Sequence, residues 1–316
     1  METYIVDLAD YLQQYIRDNS ISFIRVDPHS FISMIYRMFT PFCSRLNEKD
    51  LIRMMKQKAL YCLWNTVIDD TIEYTSEGKN AIKETLHVIS CAQTKESSIK
   101  LETEAGLIMY DFVEKFLEFP LQPHTTLAQE MLFLDLVRII NGFDYERIIH
   151  EHTTIGTLSE YLEFSTATID LRVFLDIDLA IYEDSLTLST IGDLREAYHW
   201  FNTAIKLSSD IATFQREFFV EASQNAIILK GQQDGSIPRD ILTAGNEYKT
   251  QFEANLPPLM NQIKKMGRTY LIKALDYLAK IEEVDTSEIA RVFENSFEDY
   301  PGMKTFNYPD IRNEKK

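Results

Sequence analysis

Apolar residues recur every three or four positions along most of the 316-residue chain. In residues 5–16, 132–143 and 271–278 this spacing places the apolar side chains on one face of a helix. Breaks between helices are predicted where Pro, Gly or polar residues cluster. These breaks are Asp27-Pro28, Glu77-Gly78, 120–123, the surroundings of Gly156, 185–192, 231–238 and Pro257-Pro258. The pattern predicts an all-α protein of about eight to ten helices.

Low glycine and proline content supports long helices. The chain has 10 Gly and 9 Pro, each below the usual share of about 7% and 5%. An all-helical chain of this length can bury one large core, so residues 1–316 are predicted to form a single domain. Residues 300–316 are polar and show no helical period, which predicts a flexible tail or a lid.

The formal net charge of -17 argues against several partners. A chain this acidic repels a phosphate backbone, and no basic run offsets the repulsion, so nucleic acid is not expected to bind. No apolar run reaches the ~20 residues of a membrane span. The three cysteines have no metal-site spacing, and the first residues are acidic where a signal peptide is basic. We therefore expect a cytoplasmic protein.

The first candidate site is a group of carboxylates at the end of an apolar helical stretch. Asp69 and Glu73 are four residues apart and project about 40° from each other, whereas Asp70 points roughly 100° away. Carboxylates in this arrangement suit Mg²⁺, which binds one or two of them together with waters and phosphate oxygens. The competing interpretation is a solvated helix end with ordinary surface acids.

A second group of oxygen donors lies about 140 residues later. Ser209, Thr213 and Glu217 share one helical face at i, i+4 and i+8. Asp210, Thr213 and Glu217 also share a face, at i, i+3 and i+7. The spacing leaves both sets open.

Together the two groups resemble the DDxx(D/E) and (N/D)Dxx(S/T)xx(K/R)E motifs of class I terpene synthases. The resemblance spans roughly residues 55–265. It implies an antiparallel helical bundle around a central apolar pocket, with the two motifs facing each other at the mouth. It also implies three Mg²⁺ ions, and Arg216 as a donor to the diphosphate. The implied metal ligands are Asp69, Asp70 and Glu73 on one wall and Ser209 or Asp210, Thr213 and Glu217 on the other.

The function implied by this resemblance is Mg²⁺-dependent ionisation of a prenyl diphosphate. Farnesyl or geranylgeranyl diphosphate would lose diphosphate and cyclise as a carbocation to a cyclic sesquiterpene or diterpene. One alternative is a prenyltransferase, which would normally carry a second aspartate-rich motif. Another is a non-catalytic helical protein that binds isoprenoid diphosphate. The sequence leaves open whether the protein is a homodimer.

Three positions depart from the family pattern. Ser209 stands where the family usually has Asn or Asp. Residues 161–166 contain no Arg, although the family usually has a diphosphate-sensing Arg some 45 residues before the second motif. Arg172 is the candidate substitute, and the competing interpretation makes it a surface residue. Tyr300 and Arg312 stand apart where the family commonly has an Arg-Tyr pair, so the lid is expected to be built differently.

A carbocation in an apolar pocket is stabilised by aromatic faces, by ~0.5 to 2 kcal/mol each. Aromatic residues close to the two motifs and to the expected helix break are therefore candidates for the pocket lining. For each of them, the competing interpretation is an ordinary core residue. These residues are Tyr61, Trp64, Tyr161, Phe164, Trp200 and Phe201.

Overall fold

The computed structural model describes residues 2–22, 27–40, 46–94 and 99–302. These residues form helices and connecting loops without a strand, which confirms the predicted all-α class. The described part contains thirteen α-helices, more than the predicted number, because several connections hold short helices. The helices are α1 Glu2–Asp18, α2 Pro28–Ile35, α3 Glu48–Tyr74, α4 Gly78–Thr94, α5 Glu104–Leu117, α6 Thr125–Glu151, α7 Leu158–Phe164, α8 Arg172–Ile181, α9 Leu188–Arg216, α10 Ala226–Asp234, α11 Asn246–Thr250, α12 Leu256–Leu278 and α13 Ser287–Asp299.

Helix starts are set by capping side chains. Asp27 accepts a hydrogen bond from the Ser30 amide at 3.0 Å, and Pro28 occupies the first turn of α2. Asn47 caps α3 in the same way, with 3.0 Å to the Asp50 amide. These caps satisfy amides that have no partner inside the helix. The predicted break at Asp27-Pro28 is confirmed.

Two predicted breaks differ in position from those in the structure. Thr187 caps α9, so Gly192 lies inside that helix, and the break covers residues 182–187 instead of 185–192. Helix α10 continues past Gly231 to Asp234 and is capped by Gly235, whose φ is 73°. Gly231 allows close packing, because a Cβ there would lie 2.6 Å from Ile237 Cδ1 and that side chain would have to shift. Neither Gly192 nor Gly231 breaks its helix.

The long helices α3, α6 and α9 end on the same side of the bundle. Tyr74, the last residue of α3, donates a hydrogen bond through its hydroxyl to Glu221, just beyond α9. His150, near the end of α6, has its Nδ1 3.2 Å from the Ser223 hydroxyl, also beyond α9. Three C-terminal ends therefore surround one opening of the bundle.

Antiparallel neighbours pack around these three helices. Trp200 stacks on Tyr270 at 5.7 Å between ring centroids, and a Cβ on Gly267 would lie 3.5 Å from the Ala204 carbonyl oxygen. Since later positions in α9 oppose earlier ones in α12, the two helices are antiparallel. Among the described helices, none combines the length and apolar character needed to cross a membrane. Residues 303–316, and with them Arg312 and most of the predicted tail or lid, lie outside the described residues.

Candidate active site

A cavity of about 200 Å³ lies at the end of the bundle where α3, α6 and α9 terminate. Its polar lining comes from the last turns of these helices and from the loop after α9. Its apolar lining comes from α2 and the 3₁₀ turn that follows it, from earlier turns of α3 and α6, and from α8 with the residue before it. The cavity thus combines a polar mouth with an apolar interior. The main apolar side chains are Phe31, Met34, Met38, Tyr61, Phe143, Leu171 and Phe174.

The first motif forms a compact set of carboxylates. One oxygen from each of Asp69, Asp70 and Glu73 lies within 4.8 Å of the other two. Asp69 and Glu73 line the cavity, whereas Asp70 is buried beside them. Although Asp70 starts from a different angle on the helix, its side chain reaches the same place. Three carboxylate oxygens at this separation fit a hard divalent cation such as Mg²⁺.

The second motif faces the same cavity from α9. Ser209, Thr213 and Glu217 all line it. Asp210 does not, because its buried carboxylate accepts hydrogen bonds from the Tyr161 hydroxyl and the Ala226 amide, both at 2.9 Å. The structure therefore places the Ser209 set, and not the Asp210 carboxylate, at the cavity.

Glu217 lies where the chain leaves α9. A π-helical turn, Glu217–Glu221, is followed by Ala222 in the left-handed region with a φ of 55°. This turn brings Asn225 back towards the helix, and its Nδ2 donates to Glu217 Oε2 at 2.9 Å. Burial and the nearby charge of Asp210 raise the pKa of the Glu217 carboxyl to about 7. A divalent cation at this carboxylate would favour its ionised form.

Arg216 lines the cavity beside Glu217 and is held in position by acids. Its Nε lies 3.0 Å from Glu221 Oε1, and its Nη2 lies 3.8 Å from Glu217 Oε1. Glu221 also accepts the hydrogen bond from Tyr74, so the ends of α3 and α9 are joined through it. A guanidinium fixed in this way is suited to binding an anionic group at the mouth.

Residues 60–236, more than half of the chain, match the model of terpene synthase family 2, C-terminal metal binding. The matched segment contains both acidic motifs and most of the residues that form the cavity mouth. The chain belongs to this terpene synthase family. The resemblance to class I terpene synthases inferred from the two motifs is thereby confirmed.

Solved terpene synthases share the fold at low sequence identity. Linalool/nerolidol synthase from Streptomyces clavuligerus, in complex with 2-fluorogeranyl diphosphate, is 8% identical, with a TM-score of 0.67 over 96% of this chain and 97% of that one. 2-Methylisoborneol synthase from Streptomyces coelicolor A3(2), in complex with Mg²⁺ and geranyl-S-thiolodiphosphate, is 10% identical, with a TM-score of 0.67 over 98% and 95%. Hedycaryol synthase in complex with HEPES is 12% identical, with a TM-score of 0.54 over 96% and 92%. A comparison with curated protein sequences finds no match.

Arg172, the predicted substitute for the missing terpene synthase arginine, is not part of the cavity lining. Its guanidinium lies 3.0 Å from Asp135 Oδ1, and its Nε donates to Asp170 Oδ1 at 3.0 Å. Two buried carboxylates therefore hold the side chain outside the cavity lining, so the structure does not bring Arg172 together with the two motifs. The wider ion network consists of Asp135, Asp170 and Asp176 with Arg138, Arg172 and Arg195.

The six predicted aromatic residues divide into two groups. Tyr61 and Tyr161 line the cavity. The other four are not among the lining residues, because each packs in another place. Trp64 packs edge-on against Phe143, Phe164 stacks on Tyr145 at a partly exposed position, Trp200 stacks on Tyr270, and Phe201 stacks on Phe293.

Several polar lining residues were missed from the sequence. Lys206 precedes Ser209 by three residues, so the helical period alone could have placed it on the same face. Glu146 and His150 share one face of α6 at i and i+4, but nothing in the sequence indicated that this face meets α9. Gln224 lies in the loop after α9, where no periodic signal applies. All four line the cavity.

Proposed function

We propose that this protein is a Mg²⁺-dependent class I terpene synthase that ionises an allylic prenyl diphosphate and cyclises the resulting carbocation. The observation that carries the proposal is the meeting of two oxygen-donor motifs, from α3 and α9, at the mouth of one cavity with an apolar, aromatic interior. Family membership supports it, since the matched model is described as metal binding. The bound analogues of two structural neighbours, both prenyl diphosphates, support the substrate class.

The substrate is proposed to be farnesyl diphosphate, with geranylgeranyl diphosphate as the longer alternative. The cavity of about 200 Å³ is smaller than the ~300 to 1,000 Å³ of most ligand pockets. A small cavity favours the shorter of the two chains. The product would then be a cyclic sesquiterpene, released together with diphosphate.

Asp69, Asp70 and Glu73 would hold Mg²⁺ on one wall, and Ser209, Thr213 and Glu217 on the other. Bound Mg²⁺ supplies positive charge that stabilises the negative charge of the leaving diphosphate. Three Mg²⁺ ions are proposed, the number implied by the resemblance of the two motifs to those of class I terpene synthases.

Arg216 has its own part in ionisation. Its guanidinium donates charge-assisted hydrogen bonds to the diphosphate as the C–O bond breaks and the bonding pair moves to oxygen. Because Glu221 holds the guanidinium in advance, little reorganisation is needed during the reaction.

The interior of the cavity directs the carbocation. Tyr61, Phe143 and Phe174 present aromatic rings to it, and the negative face of such a ring attracts positive charge. Apolar neighbours such as Leu171 exclude water until the cation has cyclised. The rings thus hold the cation within the cavity, while its shape sets which carbons meet.

The test is to incubate the purified protein with Mg²⁺ and, separately, with geranyl, farnesyl and geranylgeranyl diphosphate. Organic extracts are analysed by gas chromatography and mass spectrometry. We expect a cyclic product from farnesyl diphosphate, its loss in Asp69→Ala, and its retention in Asp276→Ala, which removes an exposed carboxylate on α12.

Other outcomes would point to other functions. A lengthened prenyl diphosphate formed when isopentenyl diphosphate is added would indicate a prenyltransferase. Folded protein that binds the diphosphates and releases neither product nor diphosphate would indicate the non-catalytic alternative. In either case the cyclase assignment is wrong.

A further inference from the structure

The ammonium of Lys206 lies at the junction between the polar mouth and the apolar interior of the cavity. It shares the cavity-facing side of α9 with Ser209 and Thr213. Its position three residues before Ser209 places it about 4.5 Å further into the bundle along the helix axis. Of the described residues that line the cavity, only Lys206 and Arg216 carry a permanent positive charge.

Glu146 on α6 contacts Lys206 at the cavity wall. Its Oε1 accepts a hydrogen bond from Lys206 Nζ at 2.9 Å, and Asp210 Oδ1 lies 3.9 Å from the same nitrogen. Among the described residues, the hydrogen bond to Glu146 is the one that the Lys206 ammonium makes. An ammonium has three N–H donors. The side chain is 14% exposed and lines the cavity, so donors remain for a ligand there.

Lys206 stays charged in this setting. Burial by itself would lower its pKa, but the nearby Glu146, Tyr161 and Asp210 raise the pKa of the ammonium well above its usual range. A buried ion pair is often no more stabilising than two packed apolar side chains. Packing alone therefore gives no reason for a lysine at a position that borders an apolar cavity.

We propose that Lys206 donates a hydrogen bond to the diphosphate from its inner side, where the ester oxygen joins the isoprenoid chain. This rests on the proposed function. Arg216 and the two oxygen-donor motifs lie nearer the mouth, so Lys206 is the cation placed to reach the oxygen that gains charge on ionisation. The C–O bond breaks with its electron pair going to that oxygen, and Lys206 keeps its proton. Glu146, which accepts a hydrogen bond from the ammonium, competes with the diphosphate for it.

The competing interpretation makes Lys206 and Glu146 a structural ion pair that joins α6 to α9. The two interpretations differ in how diphosphate affinity should respond to Lys206→Met compared with Glu146→Gln. If the pair is structural, losing either partner destabilises the protein and leaves diphosphate affinity unchanged, or weakens it equally in both variants. If Lys206 binds diphosphate, removing the competing carboxylate leaves the affinity unchanged or increases it, whereas removing the ammonium weakens it.

The experiment is isothermal titration calorimetry of the full chain with inorganic diphosphate at fixed Mg²⁺. We expect Lys206→Met to weaken binding roughly 10- to 100-fold, the range for losing a hydrogen bond between charged groups. Lys206→Arg should retain most of the affinity, and Glu146→Gln should bind at least as tightly as the unsubstituted chain. Lys230→Met is the matched control, because Lys230 pairs with Asp234 on α10 outside the cavity.

Equal diphosphate affinity for Lys206→Met and the unsubstituted chain would overturn the assignment of Lys206 while leaving the synthase proposal intact. So would a tenfold loss in Glu146→Gln. If Lys206→Met does not fold, as judged by circular dichroism, Lys206→Gln replaces it in the titration, and diphosphate affinity equal to that of the unsubstituted chain again overturns the assignment. An unsubstituted chain that neither binds diphosphate nor consumes a prenyl diphosphate would overturn both proposals.

Discussion

Ser209 and Asp210 are adjacent in the sequence but have different surroundings. The Ser209 side chain lines the cavity, where a hydroxyl can serve as a metal ligand. The Asp210 carboxylate is buried and joins α9 to two other helices. It accepts hydrogen bonds from Tyr161 in α7 and from Ala226 at the start of α10. The first position of the second motif therefore contributes to the cavity, and the second contributes to the packing around it.

The first prediction separates these two roles. Ser209→Ala should lower Mg²⁺-dependent turnover and leave the free energy of unfolding nearly unchanged. Asp210→Asn should lower the free energy of unfolding by about 1–3 kcal/mol, the usual cost of leaving a buried hydrogen-bonding group without its partner. Thermal unfolding and product assays on both variants provide the measurement. Full activity in Ser209→Ala, together with a stable but inactive Asp210→Asn, would reverse the assignment.

Aromatic residues give a second prediction about single side chains. Phe143 lines the cavity, whereas Phe201 is stacked on Phe293 with ring centroids 3.8 Å apart. Phe143→Leu should change the ratio of products, because a difference of ~1.4 kcal/mol between competing cation paths changes that ratio tenfold. Phe201→Leu should lower the unfolding temperature and leave the product ratio unchanged. Gas chromatography of the two variants tests this, and a changed ratio in Phe201→Leu would contradict it.

From the sequence, the types of residue that line the cavity were easier to predict than the particular residues of each type. Asp69, Glu73, Thr213 and Glu217 could be selected because helical spacing fixes which side chains share a face. Aromatic residues could not be selected in this way. Trp64 and Tyr61 are three residues apart on α3, yet only Tyr61 lines the cavity, because neighbouring helices decide which part of a buried face borders it.

The interrupted stretch between α7 and α8 forms one wall of the cavity. Its 3₁₀ segment, Ser165–Ile169, packs closely on α6 because Gly142 has no side chain. A Cβ at Gly142 would lie 2.7 Å from the Phe164 carbonyl oxygen and 3.2 Å from Thr168 Cγ2. The backbone itself makes the closest approach, so it would have to move to accommodate a methyl group. Thr168 and Leu171 line the cavity and would move with it.

Gly142→Ala should therefore reduce both stability and turnover. Overpacking of this kind costs about 1–3 kcal/mol, although Ala is otherwise the better helix former. Gly192→Ala, also in a long helix, is the matched control. A Cβ at this position in α9 meets nothing within 4 Å, so the substitution should raise stability by up to ~1 kcal/mol. Chemical denaturation and steady-state kinetics of both variants supply the test. Equal stability gains in the two variants would show that the close approach at Gly142 is unimportant.

Helix existence was easier to predict than helix boundaries. The break at Asp27-Pro28 could be read locally, because a capping aspartate and a proline act on their own neighbours. The start of α9 and the end of α10 could not be read locally, because Gly192 and Gly231 lie within their helices. The close packing of Ile237 against Gly231 depends on tertiary structure. The same limit hid the contact between Lys206 and Glu146, which meet only because α6 and α9 are neighbours.

The whole molecule carries a net charge of -17, and its proposed ligand is also anionic. Long-range electrostatics therefore oppose binding of a diphosphate in the absence of counter-charge. Four carboxylates line the cavity, from Asp69, Glu73, Glu146 and Glu217, against two cations. Divalent cations at Asp69, Glu73 and Glu217, which belong to the two oxygen-donor motifs, would reverse the local sign. Metal and diphosphate are accordingly expected to bind together, each strengthening the other.

This coupling predicts how the folded state responds to ligands. At diphosphate concentrations about 100 times the dissociation constant, binding adds about 2.7 kcal/mol to stability, which for a chain of this size raises the unfolding temperature by on the order of 5 °C. Mg²⁺ and diphosphate together should give this shift, and diphosphate with a chelator should give little or none, because the carboxylates then repel it. Asp69→Asn should lose most of the shift, whereas Asp276→Asn should keep it. Stabilisation by diphosphate alone, equal to that with Mg²⁺, would show that Lys206 and Arg216 suffice to bind the anion and that the carboxylates at the mouth serve another purpose.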